Sequence, residues 1–352
     1  MSIGVSWTEV ERALNMDLKT LDSWSKTWRL TFNLEKSEYI MFCDRKSTQM
    51  DIVLGGVTLS SVATHKHLRI VYNRELNWSD HIDQVVKKVS KKLGLLFIAR
   101  YKLRRSALIQ VYKSMILPII EYGSLIYDNA SQSDLNRLDS LHRRAGIICT
   151  GAISRSRTSR LFEDLGWYSL QTRRSNAKLA LMYKIVFNLA PSYLVSLLQT
   201  LQRTNSSTTL RQRRKFAVFC RQNRFYRSFY PSALRLWEDL TEAERNSDSF
   251  QSFKTALQVK SMADIPCQYS VYNTLYGTYS KILTQIRLGL SNLNEHLYSY
   301  NLTDNPFCPN CLHVVETTSH YLVVCPPYKT AREKLRNWKI QTLNSIQLGS
   351  DF

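Results

Sequence analysis

Residues 80–100 read Asp80-His-Ile-Asp-Gln-Val-Val-Lys-Lys-Val-Ser-Lys-Lys-Leu-Gly-Leu-Leu-Phe-Ile-Ala-Arg100. Val85, Val86, Val89 and Leu93 recur at spacings of three and four, the period of one helix face, and Asp80 stands where an N-cap would open that helix. Lys87, Lys88, Lys91 and Lys92 alternate around the apolar stripe. Two more helices of similar length follow. Ser106–Tyr122 carries a break or kink at Pro118, and Ser133–Ile148 offers Leu135, Leu138, Leu141 and Ala145 for burial, with Arg137, His142, Arg143 and Arg144 on its polar side. Three such helices predict a compact bundle and a mainly α chain.

Outward from the bundle the patterning changes. On the N-terminal side, Val10–Trp28 reads as an amphipathic helix through Leu14, Leu18, Leu21, Trp24 and Trp28, with the two tryptophans expected in a core. Tyr122 and Trp237 are expected to be core as well. Short strands are expected at Leu30–Phe32, Tyr39–Phe42 and His67–Tyr72, and a hairpin joins Ile52–Val53 to Val57–Leu59 around Gly55-Gly56. Residues 1–80 are thus a small α+β piece. On the C-terminal side helix continues over 166–198 to Ala190-Pro191. A Thr204–Thr209 linker and helices at Ser232–Asp239, Ser249–Lys260 and Tyr272–Leu290 follow. The expected units are 1–80, 81–165, 166–300 and a small module at 301–335.

Charge points to a polyanion. The 352 residues hold 48 Lys or Arg and 28 acids, a net charge of +20. From Ser140 to Trp237 there are 18 basic residues and two acids, Glu163 and Asp164, so this stretch carries +16 of the total. It contains Arg143-Arg144, Arg173-Arg174 and the run Arg211, Arg213, Arg214, Lys215, interleaved with Tyr168, Phe216, Phe219, Phe225 and Tyr226. Basic side chains release counterions from phosphates and aromatic rings stack on bases, so RNA or DNA is the expected partner. No apolar run approaches the ~20 residues of a membrane span, and Met1–Asp17 has no signal-peptide core. Seven cysteines, four of them scattered (Cys43, Cys149, Cys220 and Cys267), suit a reducing compartment. The expected location is intracellular, in nucleus or cytoplasm, with no membrane partner.

The most specific chemistry lies near the C-terminus. Cys308, Cys311, His320 and Cys325 form Cys-x2-Cys-x8-His-x4-Cys, a four-ligand set. Three thiolates and one imidazole suit Zn(II) and leave no open coordination position, so a zinc there is expected to be structural and to contribute much of the folding energy of so short a segment. His313 is a competing ligand by type. No phosphate-binding Gly loop, nucleophile elbow or adjacent Asp pair occurs anywhere, and no catalytic residue is assigned.

Several segments, in order, resemble the reverse transcriptases of non-LTR retrotransposons, jockey-like elements in particular. They are Leu21-x-x-Trp24-x-x-x-Trp28-x-Leu30-x-Phe32-Asn33-x-x-Lys36-Ser37-Glu38, His67-Leu68-Arg69-Ile70 with Leu76-x-Trp78-x-x-His81-Ile82, Leu117-Pro118-x-x-Glu121-Tyr122-Gly123, and Leu138-x-x-Leu141-x-Arg143-Arg144-Ala145. Leu165-Gly166-Trp167-x-x-Leu170-x-x-Arg173-Arg174, Ser228-Phe229-Tyr230-Pro231 with Leu236-Trp237, Arg287-x-Gly289-x-Ser291-x-Leu293-Asn294-x-His296-Leu297 and Glu316-x-x-x-His320 continue the pattern. The resemblance implies the end of a polymerase palm at 1–80, a helical thumb at 81–165, a basic helical region and a zinc knuckle. It implies Lys36 near an incoming nucleotide, and element RNA and nicked target DNA as partners. A full-length active relative would use Mg(II) on palm aspartates, and the Asp-Asp turn that holds it is not in this sequence. The expected function is therefore that of a truncated reverse transcriptase that binds RNA or DNA without polymerising alone. The alternative is a repurposed non-enzymatic nucleic-acid-binding or interaction module. Arg69 occupies a position where the family pattern has Gly in a tight turn.

Overall fold

The computed structural model describes residues 6–42, 50–205, 226–262 and 281–334, apart from 283, 287 and 290. The fold is mainly helical, as expected, with three two-stranded pairings near the N-terminus. Three buried clusters organise the described residues.

The first helix, α1 (Trp7–Thr27), is opened by Ser6, whose side chain accepts the N–H of Glu9. Leu14 and Leu18 pack on Met41, Met50, Ile52, Leu54 and Leu59. Asn15 extends the edge of β2 (Val53–Leu54), accepting the N–H of Val53 at 2.9 Å and donating to the carbonyl of Asp51 at 2.8 Å. The expected hairpin forms: β2 pairs antiparallel with β3 (Val57–Thr58), around Gly55 and Gly56, both at positive φ. The hairpin covers only the middle of α1. Trp24 and Trp28 are 48% and 66% exposed, not core, because nothing among the described residues packs over the last turns of the stripe. Leu30–Phe32 forms no strand either. Leu30 donates its N–H back to Ser25 at 2.8 Å, which closes the helix end and removes that donor from any ladder. Only Glu38–Tyr39 of the next expected strand is extended and paired (β1), parallel to Ser60–Ser61 (β4).

Strands β5 (Thr64–His67) and β6 (Ile70–Asn73) form a second hairpin where one strand is expected. Its turn residues Leu68 and Arg69 both lie at positive φ, 46° and 68°. That left-handed pair is what a two-residue hairpin turn demands, so Arg69 adopts the backbone form that glycine adopts without cost. The Leu68 carbonyl accepts the Tyr122 hydroxyl at 2.8 Å; Tyr122 itself is about half exposed, not core.

Helix α2 (Ser79–Ala99) opens on Trp78, at φ 68° and with no side-chain cap; Asp80 sits inside the first turn, where its carboxylate accepts from Asn73 at 2.8 Å. The buried side of α2 is His81, Ile82, Val85, Val89, Leu93 and Leu96. The next helical stretch is continuous from α3 (Arg105–Val111) through a π turn at Tyr112–Ile116 to α4 (Leu117–Glu121). Pro118 has no N–H to give the carbonyl four residues back, and the widened turn just before it accommodates that loss. Gly123, at φ +67°, takes a backbone form that strains other residues, and a Cβ there would lie 2.5 Å from Ile70 Cδ1, which would have to shift. After α5 (Ser124–Tyr127), Ser131 rather than Ser133 caps α6 (Gln132–Thr150), accepting the N–H of Asp134. With α7 (Thr158–Leu165) these helices enclose one core, which includes Ile70 from β6 and Leu288 from far downstream.

A second core lies between α8 (Leu170–Val186), α9 (Ser192–Asn205) and the helices Phe229–Glu238 and Phe250–Met262, built on Met182, Tyr183, Leu234, Trp237 and Phe253. Trp237 is buried there as expected. Helix α9 restarts after Pro191 and runs to Asn205, past the expected break at Ala190-Pro191. The rest of the Thr204–Thr209 linker and most of the Tyr272–Leu290 helix lie outside the described residues. No helix among the described residues is long and apolar enough to cross a membrane.

Candidate metal centre and basic surface

Residues 307–325 wrap around a side-chain cluster. Phe307 bridges to Val315, and Cys308 donates its N–H to Val314 at 2.8 Å, which makes a short hairpin. Its tip closes through Leu312 N–H to the Cys308 carbonyl, 2.8 Å, with Leu312 at φ 59°. This turn places the Cys308 and Cys311 thiols side by side. His320 and Cys325 come from a π turn, His320–Val324, in which Cys325 donates its N–H to the His320 carbonyl at 2.8 Å. The π turn explains the spacing. Five residues of α-helix would splay the two side chains by about 140°, whereas one i→i+5 turn stacks them.

The ligand atoms of Cys308, Cys311, His320 and Cys325 all lie within 4.8 Å of one another. Cys325 Sγ is 3.8 Å from Cys308 Sγ and 3.7 Å from Cys311 Sγ. Four bonds of about 2.3 Å to a tetrahedral centre would set thiolate sulfurs about 3.8 Å apart. His320 Nε2 is buried and finds no hydrogen-bond partner among the described residues, which suits a nitrogen placed to bind a metal. Burial pushes the Cys308 thiol up, but the N–H groups of Asn310 and Cys311, together with the neighbouring His320 and Cys325 side chains, outweigh it and bring it down to about 7. Burial and the two neighbouring thiols push Cys325 up to about 12. The donor set therefore fits one metal ion. His313, the competing ligand, is exposed and outside the cluster. The module is anchored by Glu316, which is buried and accepts the N–H of Asn294 at 2.8 Å at the start of the helix Asn294–Ser299, and by Asn294 Nδ2 to the Phe307 carbonyl at 2.7 Å.

The basic candidates divide into two kinds. Lys87, Lys88 and Lys91 are exposed on α2 and Lys92 is half-buried. Arg144 is exposed on α6. Lys36 is exposed in the 3-10 turn Leu34–Lys36, whose start Asn33 caps at 3.1 Å. The other arginines are engaged internally. Arg143 donates to Thr158 Oγ1 at 3.1 Å and to the carbonyls of Ser154 and Ser156, tying α6 to the start of α7. Arg173 pairs with Glu121. Arg174, buried, pairs with Asp128 at 2.7 Å, and Lys178 joins the same carboxylate and donates to Ser232 Oγ at 2.8 Å. Those contacts pin the second core to the bundle. Arg211, Arg213, Arg214 and Lys215 lie outside the described residues, as do Phe216, Phe219 and Phe225. Tyr168 donates its hydroxyl to the Gln258 carbonyl at 3.1 Å, and Tyr226 lies under Arg235, whose Cζ is 3.7 Å from the ring centre.

Two buried features had no signal in the sequence. Arg105 and Asp164 form an ion pair of 2.7 Å with 3% and 5% side-chain exposure, and Arg105 also donates to Thr284 Oγ1 at 3.0 Å. His142 sits within an aromatic stack of Tyr112, Phe162 and Trp167. Its Nε2 is 3.0 Å from the Tyr168 carbonyl and its Nδ1 is 2.6 Å from the Tyr112 hydroxyl. A carbonyl can only accept, so the ring proton is on Nε2 and Nδ1 accepts from Tyr112.

A basic, mainly helical chain with a four-ligand thiolate–imidazole cluster is the class these features define. The comparisons narrow it. The chain is 26% identical over 201 residues, 56% of its length, to the RNA-directed DNA polymerase from mobile element jockey of Drosophila melanogaster, and that stretch covers 22% of the relative. It is 24% identical over 40% of its length to the probable RNA-directed DNA polymerase from transposon X-element, and 27% identical over 47% to that from transposon BS, both of Drosophila melanogaster, covering 16% and 19% of them. No family model and no solved structure matches. The chain's curated homologues are thus RNA-directed DNA polymerases of jockey-like non-LTR retrotransposons, of whose length the alignments span about a fifth.

Proposed function

We propose that this chain is a nucleic-acid-binding part of a reverse transcriptase of the non-LTR type, a helical thumb followed by a structural zinc module. Homology to RNA-directed DNA polymerases over about half the chain carries the reading. The exposed lysines of α2 and Arg144 support it, since exposed basic side chains bind phosphates, and the sequence adds the run Arg211, Arg213, Arg214 and Lys215. The metal in the Cys308, Cys311, His320, Cys325 cluster is Zn(II), which the thiolate–imidazole donor set and the sulfur spacing suit. All four ligands come from the protein, so the ion braces the module and leaves no position for substrate. Three cysteine thiolates suit a reducing compartment, as in an intracellular protein acting on RNA and DNA. The work of these residues is to hold a strand, and the sequence has no adjacent aspartates to hold polymerase metals. Fluorescence anisotropy of labelled single-stranded RNA and DNA with the purified chain tests the reading. Binding in the micromolar range or tighter at low salt is expected; no binding at low salt contradicts it.

A further inference from the structure

The contacts that pin the second core to the bundle leave a positive charge without its own counter-ion. Arg174 and Lys178 lie one turn apart on α8, and their side chains are only 8% and 7% exposed. Both pair with the same carboxylate, Asp128. Two buried cations on one anion are costly unless a further anion answers them. No second carboxylate among the described residues pairs with either. Asp139 of α6 is half-buried and near Arg174, yet burial pushes its carboxyl up and Arg174 pulls it back only in part. The excess charge faces open space. A cavity of about 410 Å³ lies in the seam between α6, α8 and the helix Phe229–Glu238, lined by Arg174 and Lys178. Arg227 and Arg235, both half-buried, line it as well. Their hydrogen bonds go to carbonyls, of Ala130 at 2.7 Å and of Tyr226 at 3.0 Å, and not to acids. Four basic side chains thus meet at one cavity. On the α6 side its lining is Asp139 and Gln132, groups that exchange hydrogen bonds with hydroxyls.

We infer that this cavity binds a small sugar phosphate, free or as part of a nucleotide, with the phosphate on the basic side chains and the sugar hydroxyls on Asp139 and Gln132. Guanidinium groups hold phosphate oxygens through paired N–H donors, and a lysine adds a point charge. The volume is that of a site for one small molecule. Asp139 argues for a hydroxyl-bearing ester over a bare polyanion, since a carboxylate repels a second phosphate but accepts from a hydroxyl. The site is separate from the exposed lysines of α2. A ligand in it would touch both cores, so binding would brace the seam between them.

Isothermal titration of the full chain with ribose 5-phosphate, 5′-AMP and inorganic phosphate tests the site. The proteins are wild type, Arg227→Gln/Arg235→Gln, Asp139→Asn and, as a control outside the cavity, Lys87→Gln/Lys91→Gln. Wild type should bind ribose 5-phosphate at one saturable site, more tightly than inorganic phosphate, and its thermal midpoint should rise with the ligand. Equal or tighter binding of 5′-AMP assigns the site to nucleotides; exclusion of 5′-AMP assigns it to free sugar phosphates. The double arginine variant should bind at least about tenfold more weakly, and the lysine control should match wild type. Neither arginine is paired with a carboxylate and the Asp128 pairs stay in place, so the variant's midpoint without ligand should stay near that of wild type. Asp139→Asn should cut the preference for ribose 5-phosphate over inorganic phosphate about fivefold, the loss of one hydrogen bond. Three results overturn the inference. One is no saturable binding of ribose 5-phosphate or 5′-AMP by wild type up to about 10 mM. Another is binding weakened in the lysine control but not in the arginine variant, which places the phosphate on the exposed face of α2. The third is a preference unchanged in Asp139→Asn, which removes the hydroxyl contact that defines the ligand.

Discussion

Replacing His142 by Gln should flatten the dependence of stability on pH below neutrality. The imidazole is held neutral in the fold: burial, with the Arg173 guanidinium nearby adding to it, pushes it down to about 4, against a partial pull upward from the Tyr168 carbonyl. An unfolded chain returns it to about 6.5. The group is depressed on folding, so the unfolded state binds the extra proton. Its contribution is therefore complete above pH 6.5 and is lost as pH falls from there towards 4. Between pH 7.5 and 5.5 these values imply a loss of about 1.4 kcal/mol, a tenfold change in the unfolding equilibrium. Gln offers an N–H for the Tyr168 carbonyl and an oxygen for the Tyr112 hydroxyl and does not titrate, so it removes the proton linkage while keeping the partners. His81, lowered by burial, and Asp139, raised by burial, titrate in both proteins and cancel in the difference. Urea unfolding of both proteins at the two pH values is the assay. The variant is less stable at pH 7.5 but should lose about 1.4 kcal/mol less on acidification. Equal losses would refute the assignment of a buried, neutral His142.

Purified protein should contain close to one equivalent of zinc by elemental analysis; Cys308→Ser should lose it and unfold residues 301–334, while Cys149→Ser, buried in the bundle far from the cluster, should keep it. Retention of zinc by the Cys308 variant would sink the metal assignment. Asp164→Ala leaves the Arg105 charge buried without its carboxylate and should cost about 3–5 kcal/mol by denaturant unfolding, much more than Asp83→Ala at the exposed Arg137 pair, where the cost should be under about 1 kcal/mol. Primer extension on an RNA template with Mg(II) or Mn(II) should give no product above background from this chain alone; incorporation would point to metal-holding acids other than an adjacent aspartate pair.

What could be read from the sequence follows from how local each feature is. The Cys3His set was legible because its four ligands lie within one short segment and their chemistry fixes their purpose. The helices α2 and α6 were legible from periodicity, yet their starts were not. The expected cap Asp80 lies inside the first turn of α2, which opens at Trp78 with no side-chain cap, and α6 begins at Gln132, capped by Ser131, one residue before the expected start at Ser133. Periodicity gave α1 an apolar stripe but not its cover, so Trp24 and Trp28 were placed in a core that the small hairpin does not extend to. The arginine runs misled for a different reason. Arg173 and Arg174 find Glu121 and Asp128, and Arg143 finds carbonyls beyond its own helix, and such partners are assigned only by the tertiary fold.

The central claim is that this surface binds nucleic acid through phosphate contacts. The direct measurement is the affinity for single-stranded RNA or DNA as a function of salt. Log affinity should fall linearly with log salt, with a slope of about −0.7 for each phosphate neutralised. Replacement of Arg211, Arg213, Arg214 and Lys215 by Ala should make the slope shallower by about 0.7 for each contact those residues supply. Affinity that does not respond to salt, or a slope and affinity unchanged both in that variant and in the Lys87→Gln/Lys91→Gln variant, would contradict the account.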